Sequence, residues 1–192
     1  LGFSVLLNLS ELLKFQHGKS IRFRIKTQLK SSSKFVLVSS LVLIIGGALF
    51  IFVFNPIGQY AKFNSLERIF HSLFLSVTSR TAGFNTIPSE LISVPAALIV
   101  IFLMWIGASP GSTGGGIKTT TFSLAIMSLY NHLVGKERVE VFHREIDQKN
   151  IYQAFLVIAA NLISLVIAFF FLILFETGKN SIDLLFEIVS AA

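Results

Sequence analysis

The residues of this 192-residue chain whose types could do chemistry lie mainly in a run of Gly, Ser and Thr from Gly107 to Thr121. Its first five residues match the G-x-S-x-G pattern of a hydrolase nucleophile elbow, with Ser109 as the nucleophile. In that elbow the residue after the serine donates its backbone N–H to an oxyanion, and Pro110 has no N–H to donate. No α/β sheet pattern surrounds the run either, so the sequence argues against a hydrolase.

Two phosphate-binding patterns also fail in this run. A Walker A loop places lysine directly after its second glycine, whereas Ile117 separates Gly116 from Lys118. A dinucleotide-binding loop needs a preceding strand and an acidic residue at a set distance, and the sequence supplies neither. The chain has no Cys, and its four His residues are scattered without metal-ligand spacing. The sequence therefore predicts that the chain is not an enzyme.

A membrane helix that is broken in its middle explains the run better. Five glycines and one proline between 107 and 116 cannot hold a regular helix, because each Gly costs up to about 1 kcal/mol and Pro about 3 kcal/mol. Apolar segments flank the break, from Leu91 to Ala108 and from Thr119 to Tyr130. Lys118 then falls inside the membrane, and a flexible loop that carries this cation suits a gate. The alternative is a static kink.

The rest of the chain supplies the elements that must position this loop. Phe35 to Phe54 and Ala154 to Phe175 are apolar runs of the length that crosses a bilayer, about 20 residues. Hydrophobic residues make up 53% of the chain and charged residues 14%, whereas a soluble domain carries about 25% charged residues. The sequence therefore predicts an all-α membrane protein.

The basic residues indicate the orientation in the membrane. Lys and Arg cluster in residues 1–34 and 131–151, and the connections on the opposite side carry little beyond Lys62 and Lys179. Basic loops face the cytoplasm, so both clusters are predicted to be cytoplasmic parts of a multi-pass plasma-membrane protein. The net charge of +6 also suits nucleic acid, but no base-reading motif accompanies it. We expect no nucleic-acid partner.

Two short apolar segments, Leu66 to Val77 and Ser181 to Ala192, are too short to cross and are predicted to re-enter the membrane from outside. The first is followed by Thr78 to Thr86, where Gly83 and the Thr and Asn residues do not continue a helix. An extended strand with its carbonyls turned to an axis can replace the water shell of a potassium ion. The alternative is an ordinary polar loop.

Arg80 would lie near the membrane interior, where an unpaired charge is costly. We expect it to hold the loop through backbone carbonyls or through a carboxylate, either Glu67 or Glu90. Asn161 and Ser164 lie within the second long apolar run. Polar residues on such helices are expected to form hydrogen bonds between helices.

The segments Thr78 to Thr86 and Gly107 to Phe122 together resemble the Trk/Ktr/HKT family of potassium-uptake proteins, in particular the membrane subunit of the bacterial Ktr system. Members of that family have four helix–pore–helix units around one pore. The resemblance implies that the chain holds the end of one unit with its cytoplasmic linker (1–34), a complete unit (35–130), a cytoplasmic loop (131–151) and the outer and pore helices of the next, truncated unit (152–192). The complete unit would comprise an outer helix (35–54), a pore helix (66–77), a filter (78–86) and a broken inner helix (91–130).

The resemblance also implies roles for individual residues. Potassium would be held by backbone carbonyls of the filter residues, with two neighbours as filter support; the filter residues are Thr81, Ala82, Gly83 and Phe84, and the supporting residues are Arg80 and Asn85. The intramembrane gate would be the loop of Ser109, Pro110, Gly111, Ser112, Thr113, Gly114, Gly115, Gly116 and Lys118. No metal beyond potassium at the carbonyls is implied.

The resemblance further implies that this chain binds no cofactor, that potassium is its transported ion, and that sodium stimulates transport. The implied partners are the lipid bilayer, a second copy of the full-length membrane subunit, and a cytosolic ring of nucleotide-binding regulatory subunits. Two other interpretations stay open. One is a stand-alone helix–pore–helix subunit that tetramerises, and the other is a membrane-embedded hydrolase or nucleotide-binding protein.

Overall fold

The computed structural model describes residues 31–55, 64–80, 92–112, 114–135, 139–141, 144–176, 178 and 180–192. The elements in these residues are, in chain order, α1 (Ser31–Phe54), α2 (Ser65–Thr78), α3 (Val94–Trp105), α4 (Thr119–Leu133), β1 (Glu140–Val141), β2 (Arg144–Glu145), α5 (Gln148–Phe175) and α6 (Ser181–Ala191). The described residues thus form a helical protein, which confirms the predicted helical class. The two short strands are an addition that the sequence pattern did not indicate.

Two of the helices are long and apolar enough to cross a membrane, over Ser33–Phe54 and Gln148–Phe175. Helix α1 begins at Ser31, before the apolar run that starts at Phe35, because serines and a lysine can occupy the first helical turn. The apolar run therefore predicts the presence of this helix but not its first residue.

The predicted broken helix is present as two separate helices. Helix α3 has 12 residues and α4 has 15 residues, which correspond to about 18 and 22 Å at 1.5 Å per residue. Each is shorter than the hydrocarbon core of about 30 Å. Helix α3 ends at Trp105, earlier than the apolar pattern that continues to Ala108. The glycines that follow Ile106 end the helix before its hydrophobicity ends.

The short helix α2 has a well-defined start. Glu67 Oε2 accepts a hydrogen bond from the backbone N–H of Asn64 at 2.9 Å, and the Asn64 side chain caps the helix in return. This reciprocal capping box satisfies backbone N–H groups that a helix start leaves without partners. The Arg68 guanidinium lies over the Phe52 ring at 5.0 Å and links the first turn of α2 to α1.

Helices α1, α2 and α3 form the core around Ile51, Leu75, Val100 and Leu103. Gly47 on α1 permits the closest approach, since a Cβ there would lie 2.6 Å from Leu103 Cδ1 and 2.7 Å from Ser76 Oγ. Ser76 Oγ also donates to the Ile44 carbonyl oxygen at 2.8 Å. Small residues at membrane helix interfaces let backbones approach and hydrogen-bond in this way.

The outer end of this core is closed by Asn55 and Ser93. The Asn55 side chain is 1% exposed, and its Oδ1 accepts a hydrogen bond from the Ser93 backbone N–H at 3.1 Å. Ser93 Oγ donates to the Phe54 carbonyl oxygen at 2.7 Å. The end of α1 is therefore fastened to the start of α3.

Helix α5 lies at the periphery. All of its residues are described, and among them Ala154 alone is buried, whereas large side chains such as Val166, Phe170 and Phe175 are exposed. Such a surface is unfavourable in water and favourable in lipid. Helix α5 is fixed to α3 by Trp105 Nε1, which donates to Asn161 Oδ1 at 2.7 Å.

Of the two polar residues expected to form hydrogen bonds between helices, Asn161 does so. Ser164 does not, because its Oγ donates to the Asn161 carbonyl oxygen of its own helix at 2.7 Å. A serine in a helix can always reach the carbonyl one turn back, so this local partner satisfies the hydroxyl.

The segment between α4 and α5 contains the antiparallel ribbon of β1 and β2. Glu140 pairs with Glu145, and Val141 pairs with Arg144. The Ile146 N–H donates to the Val139 carbonyl oxygen at 3.0 Å and extends the pairing. The ribbon lies within the segment 131–151 that the charge distribution predicts to be cytoplasmic.

Candidate functional site

The two ends of the loop between α3 and α4 lie next to each other and form a narrow neck. The Ile117 N–H donates to the Trp105 carbonyl oxygen at 3.0 Å, and the Thr119 N–H donates to the Ala108 carbonyl oxygen at 3.3 Å. Ile106 is 0% exposed and Ile117 is 1% exposed. The two ends of the loop are therefore held together in the apolar interior, and residues 109–116 are called the glycine loop below.

The glycine loop turns back on itself by means of unusual backbone angles. Gly111 has a φ of 76° and Gly116 a φ of 68°, in the left-handed region where a Cβ clashes with the backbone. Ser112 donates to the Ser109 carbonyl oxygen twice, through Oγ at 2.7 Å and through its backbone N–H at 3.2 Å. Gly111 thus lies within a tight turn from Ser109 to Ser112, and Gly116 redirects the chain toward the neck.

The returning side of the loop presses against Gly107. A Cβ on Gly107 would lie 1.9 Å from the Gly115 carbonyl oxygen and 3.2 Å from Gly116 Cα. No side chain fits at position 107 while the loop holds this conformation. The glycines of the run therefore let the backbone pack closely against itself and also let it turn.

The loop also carries a positive charge. Lys118 Nζ donates to the Gly114 carbonyl oxygen, and the side chain is half-buried. The lysine is folded back onto the loop that precedes it. Its ammonium group is therefore held by a carbonyl of the loop itself.

Arg80 connects the end of α2 to this loop. Its Nη1 donates to the Ser40 carbonyl oxygen on α1 at 3.3 Å, and its Nη2 donates to the Gly107 carbonyl oxygen at 3.3 Å. Of the partners expected for Arg80, the structure thus shows backbone carbonyls. Glu67 instead caps the far end of α2, and Glu90 lies outside the described residues.

Ser109 is buried beside the same part of α1. It is 3% exposed, and its Oγ lies 3.3 Å from Ser40 Oγ in a hydrogen bond that either hydroxyl can donate. A serine nucleophile needs a general base such as histidine at this distance. The neighbour observed here is another serine, which cannot act as that base.

A cavity of about 370 Å³ adjoins the glycine loop. Its walls are Met104, glycines 114–116, the end of α2 with the residue that follows it (Thr78 and Ser79), and residues 189–192. The carboxyl end of a helix carries a partial negative charge. The carboxyl end of α2 therefore makes this cavity a favourable environment for a cation.

The structure brings some of the predicted site residues together. Arg80 reaches the base of the predicted gate through the Gly107 carbonyl, two residues before Ser109. The described residues of that gate are Ser109, Pro110, Gly111, Ser112, Gly114, Gly115, Gly116 and Lys118. The remaining predicted residues lie outside the described part of the chain; they are Thr81, Ala82, Gly83, Phe84, Asn85 and Thr113.

Three contributors to the site were not found from the sequence: Ser40, Gly107 as the acceptor of a hydrogen bond from Arg80, and Trp105. Ser40 has a weak signal, since it is a small polar residue within an apolar run. Trp105 closes the neck with its carbonyl and packs edge-on to Phe122 of α4, with ring centroids 6.2 Å apart. It thereby joins both halves of the broken helix.

The chain matches the family model described as "TrkH: Cation transport protein" over residues 3–192. It is 35% identical over 192 residues to Ktr system potassium uptake protein D of Bacillus subtilis, which covers 100% of this chain and 41% of that protein. It is 40% identical over 121 residues to Ktr system potassium uptake protein B of Vibrio alginolyticus, covering 62% of this chain and 26% of that protein. It is 34% identical over 163 residues to potassium/sodium uptake protein NtpJ of Enterococcus hirae, covering 83% and 36%. The chain therefore spans well under half the length of each of these relatives.

Proposed function

Because this chain belongs to the TrkH cation transport family, we propose that it forms part of the pore of a membrane subunit that takes up potassium. Membership of a transporter family, together with two helices of membrane length, assigns the chain to a membrane and to transport, not to enzymatic catalysis. Ion movement would be passive, driven by the membrane potential and controlled by the glycine loop.

The observation that carries this proposal is the meeting of α2, α6 and the glycine loop at one cavity. Helix α2, which is too short to span the membrane, ends there with its carboxyl end, which favours cations, and residues 189–192 line the same cavity. Thr81, the first proposed filter residue, directly follows Arg80 at the end of α2. Backbone carbonyls of Thr81, Ala82, Gly83 and Phe84 would then replace the water around a potassium ion.

The order of the helices along the chain supports the proposed arrangement in units. Helices α1 and α2 and the pair α3–α4 follow the order outer helix, pore helix and broken inner helix, and α5 and α6 repeat the first two parts. We propose that residues 35–130 form one complete unit of a four-unit pore, with 1–34 and 131–151 on the cytoplasmic side of a multi-pass plasma-membrane protein.

The glycine loop is proposed to be the gate of this pore. Its neck is fixed by hydrogen bonds to Trp105 and Ala108, whereas Gly111 and Gly115 at its turn are exposed. A loop that is held firmly at its base and exposed at Gly111 and Gly115 can change position with little disturbance of the helices. Shortening residues 111–116 is expected to raise flux if the loop obstructs the ion path.

The relatives' names describe a system, and we propose that the complete protein works with other components. The proposed partners are a second copy of the full-length membrane subunit and a cytosolic ring of subunits that bind the regulatory nucleotide. Sodium is a proposed stimulator of transport, as the name of the Enterococcus hirae relative, which mentions both ions, suggests.

The experiment that tests the proposal uses the full-length parent protein in cells that lack potassium uptake. Growth at low potassium and rubidium uptake are compared for the wild type, Gly83→Asp and the control Gly135→Asp. Gly135 has a φ of 76° and open space around it, and Asp tolerates such backbone angles. We expect rescue by the wild type and the control, and loss of uptake in Gly83→Asp at equal membrane abundance.

Equal rescue by Gly83→Asp would show that Gly83 lies off the ion path. Failure of the wild type, even with a cytosolic regulatory partner supplied, would point to another cation. A stand-alone subunit that tetramerises would instead be indicated if a protein limited to residues 35–130 formed a conducting tetramer.

A further inference from the structure

Arg80 joins three parts of the chain that are distant in sequence. It ends the turn after α2, and its two terminal nitrogens reach the Ser40 carbonyl on α1 and the Gly107 carbonyl before the glycine loop. The next residue is Thr81, where the proposed filter begins. One side chain therefore spans from the base of the proposed filter to the base of the proposed gate.

Gly107 makes this link sensitive to the position of the loop. The Gly115 carbonyl oxygen occupies the space where a Cβ on Gly107 would stand, at 1.9 Å. The loop backbone thus rests directly on the residue whose carbonyl Arg80 holds. We expect movement of residues 114–116 to release Gly107. The hydrogen bond from Arg80 to the Gly107 carbonyl would then change its geometry or break.

A second connection reinforces the first. Ser109 at the start of the loop is hydrogen-bonded to Ser40 through the two hydroxyl groups at 3.3 Å, and Ser40 also accepts from Arg80 through its carbonyl. Arg80, Ser40 and the loop therefore form a closed circuit of contacts. Networks of this kind carry energetic coupling between sites when they have two discrete arrangements.

The hydrogen bonds of the Arg80 guanidinium are incomplete. Among the described residues, Arg80 Nε is buried and has no hydrogen-bond acceptor. A buried donor without an acceptor is unfavourable, more so when the group is charged. A loop position that offers a carbonyl to Nε would therefore be stabilised.

We propose that Arg80 is a positioning residue that couples the glycine loop to the filter, so that loop movement changes ion selectivity as well as flux. This inference rests on the proposed function. Coupling between two sites is reciprocal, so ion occupancy of the filter also biases the loop. Lysine cannot replace Arg80 here, because its single ammonium lacks the planar pair of terminal nitrogens that reaches two carbonyls at once.

The test uses the purified full-length protein in proteoliposomes, with rubidium flux and the rubidium-to-sodium flux ratio as readouts. Four proteins are compared: the wild type, a form lacking residues 112–114, Arg80→Lys, and the combination of both changes. Arg68→Lys is the matched control, since Arg68 lies on the same helix and packs on Phe52, away from the loop. Folding is checked by size-exclusion chromatography.

We expect the loop deletion to raise rubidium flux and to change the flux ratio about fivefold or more, the usual lower range of coupling between sites. In the Arg80→Lys background the deletion should still raise the flux but leave the ratio nearly unchanged. The deletion in the Arg68→Lys background should behave as in the wild type. A purely structural role for Arg80 would lower flux or abundance without removing the effect of the loop on selectivity.

The outcomes separate the two proposals. An equal change in flux ratio with Arg80 and with Arg80→Lys would overturn the coupling, as would a rise in flux with no change in ratio in the wild-type background. Unchanged flux in a folded, loop-deleted protein would overturn the gate itself and with it part of the proposed function.

A second measurement needs no variant and stays informative if Arg80→Lys does not fold. Amide hydrogen exchange of residues 106–119 is measured in the wild type with saturating potassium and with sodium. Reciprocal coupling predicts different protection of the Ile117 and Thr119 amides, which close the neck, in the two ions. Identical protection would overturn the coupling.

Discussion

The Gly115 carbonyl oxygen lies 1.9 Å from the point that a Cβ atom on Gly107 would occupy. Real Cβ atoms do not approach a backbone oxygen so closely, and here both partners are main chain, so neither can rotate away. The folded position of the glycine loop thus depends on the absence of one methyl group. This relationship gives a direct way to displace the loop without shortening it.

Gly107→Ala in the full-length protein is expected to force residues 114–116 away from the neck. Overpacking of this kind costs about 1–3 kcal/mol, which corresponds to about a 5- to 150-fold shift toward displaced loop positions. Rubidium uptake should rise accordingly. Gly46→Ala is the control, because no heavy atom lies within 4 Å of its added Cβ. Uptake equal to that control would mean that the loop does not obstruct the path.

Gly116→Ala should destabilise the loop more than Gly135→Ala. Both glycines have positive φ angles, 68° and 76°, so both substitutions incur about 1–2 kcal/mol of backbone strain. An added Cβ at Gly116 would also lie 2.9 Å from the Trp105 carbonyl oxygen, whereas Gly135 has nothing within 4 Å. Thermal unfolding in detergent should show the larger loss for Gly116→Ala, and equal losses would argue against the tight neck.

Gly47→Ala is expected to lower the free energy of unfolding by about 1–3 kcal/mol through overpacking. The new methyl group would meet Leu103 Cδ1 at 2.6 Å and Ser76 Oγ at 2.7 Å. The neighbouring Gly46→Ala should stay within about 1 kcal/mol of the wild type. Denaturation midpoints of the two variants measure the difference, and a reversed order would contradict the packing of α1 on α2 and α3.

Trp105→Phe should loosen the attachment of α5 to α3. The substitution removes the donor of the 2.7 Å hydrogen bond to Asn161 Oδ1 and keeps an aromatic ring near Phe102 and Phe122. Such bonds within membrane proteins contribute about 0.6 kcal/mol on average and up to about 1.7 kcal/mol. A double-mutant cycle with Asn161→Leu should recover that coupling, and strictly additive effects would show that the bond contributes nothing.

Ser109→Ala separates transport from hydrolysis. Loss of the hydroxyl removes the hydrogen bond to Ser40, which should reduce stability by about 0.5–1.5 kcal/mol. Rubidium uptake should persist, since transport needs no nucleophile. An ester or nucleotide hydrolysis activity that is present in the wild type and absent in Ser109→Ala would instead favour the enzymatic interpretation.

Local patterns in the sequence were sufficient to predict several parts of the fold. The apolar runs that contain Ile51 and Val166 predict long helices, and the glycines and Pro110 predict a break, because these signals act on the backbone within a few residues. The helix ends were less predictable. Helix α3 ends at Trp105, and the Trp105 carbonyl oxygen accepts a hydrogen bond from the N–H of Ile117, further along the chain.

The candidate site depends more on contacts that are distant in sequence. The sequence predicted that Arg80 would bind carbonyls or a carboxylate, but it could not select Ser40, 40 residues away, or Gly107, 27 residues away. Any carbonyl in an apolar segment offers the same local chemistry. The ribbon of Val141 and Arg144 also left no signal, because strands of two residues show no alternation.

The contact between Asn55 and Ser93, 38 residues apart, closes a ring of chain that contains α2 and the proposed filter segment. Closing such a ring in advance removes the entropy that its ends would otherwise lose, about (3/2)RT ln n for n residues. We predict that α1 and α3 meet before α2 packs against them. Asn55→Ala should therefore slow maturation of the protein more than it weakens the finished structure.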